Sequence, residues 1–382
     1  MKIGDMDLLQ PIIGKLKKTL VPIYKLLLII LPVGTLKHLA TKGSTVAQII
    51  LARRYYHGRC VAGNKKLALR WWTKAASQGS YEAKKELGHL YFSGEKFKKD
   101  WRLASTYLLE AYHQGEKDCA SVLGSIYEGN KHFRRDVPEM YKWHKIAAES
   151  GCLESQIALA GIYASEKEYI NPKKMMFWLR KAANQDDIET MLLLAQGYLD
   201  KQQYDLNQAI KWLKIAAKKN HHHALFLLGY IYSSDKYKVV DYNYAFLKYY
   251  YALKAGSEVA PGRLGYMYQY GLGVDKDIEQ AKSLYSMGAL YNDPYAQFYY
   301  AELYLDEKYG MMDLLHAFKW SYWANKNNHP GAEKQFKAIS DKLTESQIKR
   351  GLRAAQQCKV KPVKSFGFQI GYRLGDTGKI YR

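Results

Sequence analysis

The chain has 382 residues, with 58 lysines and arginines against 36 acids, giving a net charge of +22. Such an excess points to nucleic acid or an anionic membrane when it is clustered. Here the lysines stand mostly singly along helices, as at Lys211, Lys214, Lys218 and Lys219, and no RNA-binding signature, zinc finger or basic coiled coil accompanies them, so no specific nucleic-acid partner is expected.

The first predicted element is the apolar stretch 20–36. Its longest uncharged run, Leu26 to Leu36, has 11 residues, short of the ~20 that span a bilayer. With Lys25 snorkelling, the whole stretch makes a weak signal anchor. Lys2, Lys15, Lys17 and Lys18 supply the positive flank of a signal peptide or a cytoplasmic side. Against cleavage, no Ala-x-Ala stands after it, and Pro22 and Pro32 interrupt any single long helix. Three readings stand: a membrane or surface anchor, a cleaved signal, and an apolar helix capping the first repeat.

From residue 45 a pattern takes over. Tyrosine recurs at Tyr55, Tyr91, Tyr127, Tyr163, Tyr198, Tyr232, Tyr268 and Tyr304, in steps of 34 to 36 residues. A period that steady means a repeat array. Four residues earlier stands a large residue: Leu51, Leu87, Leu123, Leu159, Leu194, Leu228, Leu264 and Tyr300. Three earlier stands a very small one: Ala52, Gly88, Gly124, Ala160, Ala195, Gly229, Gly265 and Ala301. Eight earlier comes a compact one: Ala47, Ala83, Cys119, Ser155, Thr190, Ala224, Ala260 and Ala296. Offsets of four and eight share a helical stripe, and the small residue lets a second helix approach. This is helix A of each unit. The tyrosines themselves are expected to pack in the core.

Helix B carries Ala-x-x-Trp at Ala68–Trp71, Ala209–Trp212 and Ala317–Trp320, with variants Met140–Trp143 and Met175–Trp178. Alanine comes four residues after the aromatic, at Ala75, Ala147, Ala182, Ala216 and Ala324. The unit closes on a left-handed stop at Gly79, Gly115, Gly151, Asn220, Gly256, Asn292 or Asn328. Neither helix buries its apolar stripe alone, so neighbouring units must stack.

The whole motif, Ala-x3-Leu-Gly-x2-Tyr-x2-Gly-x-Gly-Val, then Asp, Ala-x2-Trp-Tyr and Ala-Ala-x2-Gly, resembles the Sel-1-like repeat, a relative of the tetratricopeptide repeat. Leu264-Gly265 to Tyr268 with Gly271-Leu272-Gly273-Val274-Asp275 shows the loop most completely, and Trp71 to Gly79 the end of helix B. The resemblance implies an all-α, right-handed α/α solenoid of about eight helix-turn-helix repeats over 45–331. Residues 1–44 form an N-terminal segment, 332–358 capping helices and 359–382 a basic tail. Several loops depart from the pattern, which leaves their local geometry open.

Four cysteines, Cys60, Cys119, Cys152 and Cys358, without a C-x-x-C or regular spacing, indicate neither a disulfide ladder nor a zinc site. Cys119, at a compact packing position, reads as a small buried hydrophobe. Cysteine-rich relatives of the repeat family have been linked to penicillin binding and β-lactam hydrolysis. That implication meets three Ser-x-x-Lys pairs, Ser93/Lys96, Ser233/Lys236 and Ser346/Lys349, without the Ser-Asp-Asn or Lys-Thr-Gly elements. The run His221-His222-His223 falls at a turn between helices and reads as polar structure, because adjacent helical residues point about 100° apart. No catalytic residue, cofactor or metal ligand is assigned.

In the related tetratricopeptide arrays helix A lines the concave face and contacts ligand from fixed positions. Carried through the shared pattern, these give a basic-aromatic set, Arg53, Tyr56, Lys85, His89 and Phe92, and an aromatic set, Phe226, Tyr230, Tyr266, Gln269 and Phe298. After the last repeat Phe336 takes the leucine position, Ser340 replaces the tyrosine, and 344–356 reads as an amphipathic terminal helix. The tail from Lys359 carries Phe366-Gly367-Phe368-Gln369-Ile370-Gly371-Tyr372 and leaves strand, arm and lipid contact equally open. The expectation is a non-catalytic scaffold binding a protein or peptide on its concave face, membrane-associated or in the cell envelope through 20–36. The alternatives are a β-lactam-acting hydrolase, a polyanion- or glycan-binding envelope protein, and a cytoplasmic location.

Overall fold

The computed structural model describes residues 31–94, 98–129, 133–200, 204–309 and 312–361. Most of 20–36, and all but the first three residues of the basic tail, lie outside them. The described residues form nineteen α-helices and two short 3-10 turns, with no strand. Contacts divide the chain into two compact units, one ending at Leu159 and the other beginning at Ala160.

The first unit holds α1 (Val33–Thr41), α2 (Thr45–His57), α3 (Lys65–Ser77), α4 (Tyr81–Ser93), α5 (Trp101–His113), α6 (Cys119–Tyr127) and α7 (Val137–Glu149). It ends within α8 (Leu153–Ser165). The second unit holds α9 (Pro172–Ala183), α10 (Ile188–Leu199), α11 (Leu206–Lys218), α12 (His222–Ser233), α13 (Tyr242–Lys254), α14 (Ala260–Tyr270), α15 (Ile278–Leu290), α16 (Pro294–Leu303), α17 (Leu314–Lys326), α18 (Ala332–Ser340) and α19 (Glu345–Gln357). Even-numbered helices from α2 to α16 are the A helices, and the odd-numbered helices from α3 to α17 are the B helices. Within each unit a helix packs chiefly on its sequence neighbours, as expected of a repeat array.

The stripe read from the sequence is the core. All eight residues at the leucine position and all eight at the compact position are buried. Cys119 is one of them, and burial pushes its thiol up to about 12, so it stays protonated and inert. The small residue marks the crossing of the two helices. A Cβ at Gly229 would lie 2.8 Å from Tyr249, one at Gly265 2.8 Å from Tyr285, and one at Gly124 2.7 Å from His144. In each pair the partner lies 20 residues later, on helix B.

The tyrosines correct the core reading. Only Tyr163 and Tyr198 are buried; the other six are half-buried. What recurs in all eight units is a main-chain bond. The N–H of Asn64, Asp100, Asp136, Asn171, Asp205, Asp241, Asp277 and Asp313 donates to the carbonyl of that unit's tyrosine, at 2.8 to 3.2 Å. The same Asn or Asp caps helix B, its side chain accepting an N–H of the first turn. Loops of unequal length therefore close on one bond, and departures from the loop motif leave the helix pair intact. The turn back to the next helix A uses a positive-φ residue in every unit, with Asp186 (φ 71) filling the place the sequence pattern left blank.

At the N-terminal end α1 packs on the first repeat. Leu36 and Ala40 are buried with Ala47 and Leu51, the Gln48 amide donates to the Ala40 carbonyl at 3.0 Å, and Arg54 Nη1 donates to the Leu31 carbonyl at 2.8 Å. At the other end α18 and α19 cover the last repeat through Ile339, Phe336 and Gly351 around Phe318. Among the described residues no helix is long and apolar enough to cross a membrane.

Candidate functional site

In the first unit, four of the five residues of the basic-aromatic set line one pocket of about 290 Å³: Arg53 and Tyr56 from α2, His89 and Phe92 from α4. The repeat brings them together because each A helix presents the same register to the same side. Trp72 of α3, almost fully buried, lies against Tyr56 with ring centroids 5.4 Å apart and lines the pocket with Glu86. Arg53 reaches Glu82 at 3.2 Å and also pairs with Glu86, tying the first repeat to the second. Burial lowers the His89 imidazole below its ordinary value, more than Glu86 and Asp118 raise it, so it stays neutral at pH 7.

Lys85, the fifth residue, is not in the pocket lining. Its ammonium bonds Glu116 at 2.6 Å and Asp118, on the approach to the third repeat. Burial alone would lower it, but those two carboxylates hold it above its ordinary value. Lys85 is thus a tie between repeats.

In the second unit, Tyr230 of α12 and Tyr266 of α14 line a pocket of about 370 Å³ with Arg263 and Tyr295. The other three of the aromatic set do not join them. Phe226 is buried under Tyr249, ring centroids 5.4 Å apart. Gln269 is buried and its Oε1 accepts the Tyr285 hydroxyl at 2.7 Å. Both expectations of an exposed contact are corrected, and the reason lies on helix B. Where Leu108 and His144 face the glycine in earlier repeats, Tyr249 and Tyr285 do so here, and their rings reach over the neighbouring A-helix residue. Phe298 stacks on His329 at 4.1 Å and 20°, at the start of the C-terminal cap.

Arg263 is the residue the sequence reading missed. It sits five before the repeat tyrosine, a position held elsewhere by Ile50, Val122, Ala158, Leu193, Leu227 and Tyr299, and by Glu86. The two charged exceptions, Glu86 and Arg263, line the two pockets. That break in an otherwise uncharged column is the signal that would have found them.

Behind Arg263, Asp293 begins α16. Its two carboxylate oxygens accept the N–H groups of Tyr295 and Ala296, each at 3.2 Å. Complete burial raises its carboxyl to about 6, more than Arg263 and the two N–H bonds lower it. An acid that holds its proton more tightly folded than unfolded destabilises the fold as it ionises. Between pH 4 and pH 6 the wild type is therefore expected to lose stability relative to Asp293→Asn, by on the order of 3 kcal/mol. Urea unfolding of both proteins across that range measures it; a flat difference curve would refute the assignment.

Of the Ser-x-x-Lys pairs, Ser93/Lys96 includes Lys96, which lies outside the described residues, and Ser233/Lys236 packs among tyrosines. Ser233 Oγ lies 3.0 Å from the Tyr249 hydroxyl, and Lys236 Nζ lies over the Tyr237 ring. His221 and His222 stack at 5.0 Å, and burial lowers His223 to about 3, so it is neutral. Among the described residues no group of three or more His, Cys, Asp or Glu is placed to hold a metal ion.

Residues 45–80, 154–187, 189–221, 222–256 and 263–290 each match the Sel1 repeat. Among solved structures the chain is similar to a Sel1 repeat protein from Oxalobacter formigenes, 23% identical, over 82% of this chain and 93% of that one, with a TM-score of 0.61; the likeness is one of fold. It is also similar to a protective antigen of uropathogenic Escherichia coli strains displaying an SLR fold, 24% identical over 85% of this chain and 78% of that one, TM-score 0.49. No curated protein matches the chain.

Proposed function

The chain is a Sel1-repeat α-solenoid, and from that premise we propose that it is a non-catalytic scaffold holding a protein or peptide partner on the side presented by its A helices. The observation that carries the proposal is the convergence of Arg53, Tyr56, His89 and Phe92 on one pocket. Tyrosine, tryptophan and arginine in partly enclosed hollows are the residue types that anchor interfaces. The half-buried rings keep one edge wet, so a partner gains apolar contact without the molecule exposing a large apolar patch beforehand.

Photo-crosslinking tests it. p-Benzoylphenylalanine placed at Tyr56 or Tyr266 in the full-length protein, irradiated in its own cells, is expected to give discrete protein adducts. The same group at Phe177 and Tyr251, exposed on B helices, is expected to give none. Adducts only from the B-helix positions, or from none of the four, would overturn the proposal.

For membrane association we propose a contact through the residues before Leu31 rather than through the whole of 20–36. Leu36 is buried on the first repeat with Leu31 and Val33 packed beside it. What precedes Leu31 in that stretch falls well below the ~20 residues of a span. Surface anchoring through residues upstream of 31 is the form retained, and salt-washed membranes holding full-length protein but not one starting at Lys42 would support it.

A further inference from the structure

Three B helices of the second unit are charged in one sense only. α9, α11 and α13 carry nine lysines and arginines and no acid. The A helices of the same unit, α10, α12, α14 and α16, carry one cation, Arg263, against Glu189 and Glu302. In the first unit, α5 and α7 set three cations against three acids. The net charge is therefore gathered on particular helices, and the register of the repeat aligns it. Phe177, Lys211 and Leu247 stand six residues after the caps Asn171, Asp205 and Asp241, and Arg180, Lys214 and Tyr250 stand nine after them. All six are exposed. Lys214 of α11 reaches over the Tyr244 ring of α13 at 6.0 Å, so lysines that are scattered in the sequence share one surface with the rings between them.

Among the described residues the eight lysines of these three helices form no ion pair; beside them, Lys219, just past α11, pairs with Asp186. Several lie along aromatic rings instead: Lys181 over Phe177 at 5.8 Å, Lys248 over Tyr251 at 5.9 Å and Lys254 over Tyr250 at 5.5 Å. The acids Asp205 and Asp241 stand at the N-terminal ends, where their side chains cap the helices. Apolar exposure follows the same elements. Of twelve large apolar side chains exposed among the described residues, ten stand on a B helix of the second unit or directly before its cap. Phe177, Leu247 and Tyr251 each leave about half of their surface in water. Cationic stems laid along apolar groups, with the ammonium beyond them, are the arrangement that serves at the boundary of water and lipid.

We infer that the face made by α9, α11 and α13 docks the protein on an anionic bilayer surface, with its lysines at the level of the headgroups and Phe177, Leu247 and Tyr251 entering the boundary of the acyl chains. The lysines supply attraction to the anionic leaflet, and the apolar side chains supply area to bury. Nucleic acid is recognised chiefly through the planar fork of arginine, whereas eight of these nine cations are lysine. Leu247, with Met287 and Leu290 exposed on α15, offers nothing to a phosphate chain and gains from an apolar medium. The inference goes beyond the scaffold reading and leaves the A helices free for a protein partner.

Co-sedimentation of the full-length protein with vesicles tests it, using phosphatidylcholine alone against an equimolar mixture with phosphatidylglycerol. Binding is expected to the mixed vesicles only. Each lysine near an anionic leaflet is worth about fivefold, so Lys211→Gln, Lys214→Gln and Lys218→Gln together are expected to weaken binding roughly 100-fold. The same change at Lys65, Lys66 and Lys74 of α3 alters the net charge equally and is expected to keep binding within a few fold. Leu247→Ser with Tyr251→Ser is expected to weaken vesicle binding by about 10-fold or more and to leave retention of an oligonucleotide unchanged. All the substituted side chains are exposed, so folding does not depend on them.

Equal binding to both vesicles would overturn the inference. Equal losses from the two lysine triples would make net charge, not this face, the cause. Binding that survives the triple on α11 would place the contact elsewhere, as in the residues before Leu31, and overturn the site. An oligonucleotide held as tightly as the mixed vesicles at the same salt, with no loss from the Leu247 and Tyr251 changes, would make the face a polyanion site and overturn the bilayer assignment. Protein adducts at Tyr56 or Tyr266 depend on none of these results, so the scaffold reading stands or falls separately.

Discussion

Gly265→Val is expected to destabilise the second unit by about 3 kcal/mol or more. A Cβ there meets Tyr285 Cδ1 at 2.8 Å, Cε1 at 2.9 Å and the Ala281 carbonyl at 3.2 Å. The ring has nowhere to retreat. Tyr285 is fully buried, its hydroxyl is bonded to buried Gln269, and Tyr299 stacks on its other side at 6.1 Å and 14°. Packed interiors yield little to added volume. Gly161→Ala supplies the contrast. It also lies inside an A helix, but nothing stands within 4 Å of its Cβ position, so the lower backbone entropy of alanine is expected to raise stability by about 0.5–1 kcal/mol. Urea denaturation of both variants checks the pair. Equal signs would mean that helix propensity, not crossing distance, governs these positions.

Trp72→Ala is expected to cost about 3–5 kcal/mol and to remove the floor of the pocket in the first unit. The ring is almost wholly buried among Ile49, Ala52, Ala68 and Leu87, with Tyr56 leaning on it. Four alanines of its cluster, Ala52, Ala68, Ala75 and Ala76, have no longer side chain to move into the space. Because each repeat touches only its neighbours, the damage should be local. Hydrogen exchange is expected to quicken across α2 to α4 and stay unchanged in the second unit. Trp72→Phe keeps a ring in the same place and is expected to fall well short of the alanine loss. Uniform loosening of the whole chain would contradict the nearest-neighbour picture.

Much of the fold is legible in the sequence because the repeat samples one local rule eight times. Leu51, Leu87 and their successors are buried wherever they occur, since an offset of four places them under the same helical stripe in every unit. The pattern does not separate a side chain from its backbone. The tyrosines recur with that period, and in six units their rings are only half-buried, while in all eight their carbonyls accept the N–H that closes the loop. Nor does it separate a polar left-handed residue from an ordinary one, so Asp186 does not stand out beside the glycines and asparagines of the other turns.

The candidate site is legible on one side. Arg53, Tyr56, His89 and Phe92 meet as their shared register requires. Phe226 and Gln269 do not, because the length of the residue on helix B, 20 positions after the crossing glycine, decides whether an A-helix neighbour is covered. That pairing is a matter of side-chain volume between two helices, and no offset within one helix records it.

What the sequence by itself determines is therefore the part of this protein that is local and repeated: helix A, helix B, the crossing glycine and alanine, and a solenoid of Sel1 repeats. Only the tertiary structure decides which single departures from the repeat matter together. Arg53, Trp72 and Glu86 come from three different helices, as do Tyr230, Arg263 and Tyr295. Each is inconspicuous in its own unit, and each becomes part of a site only because stacking sets residues some tens of positions apart around one hollow.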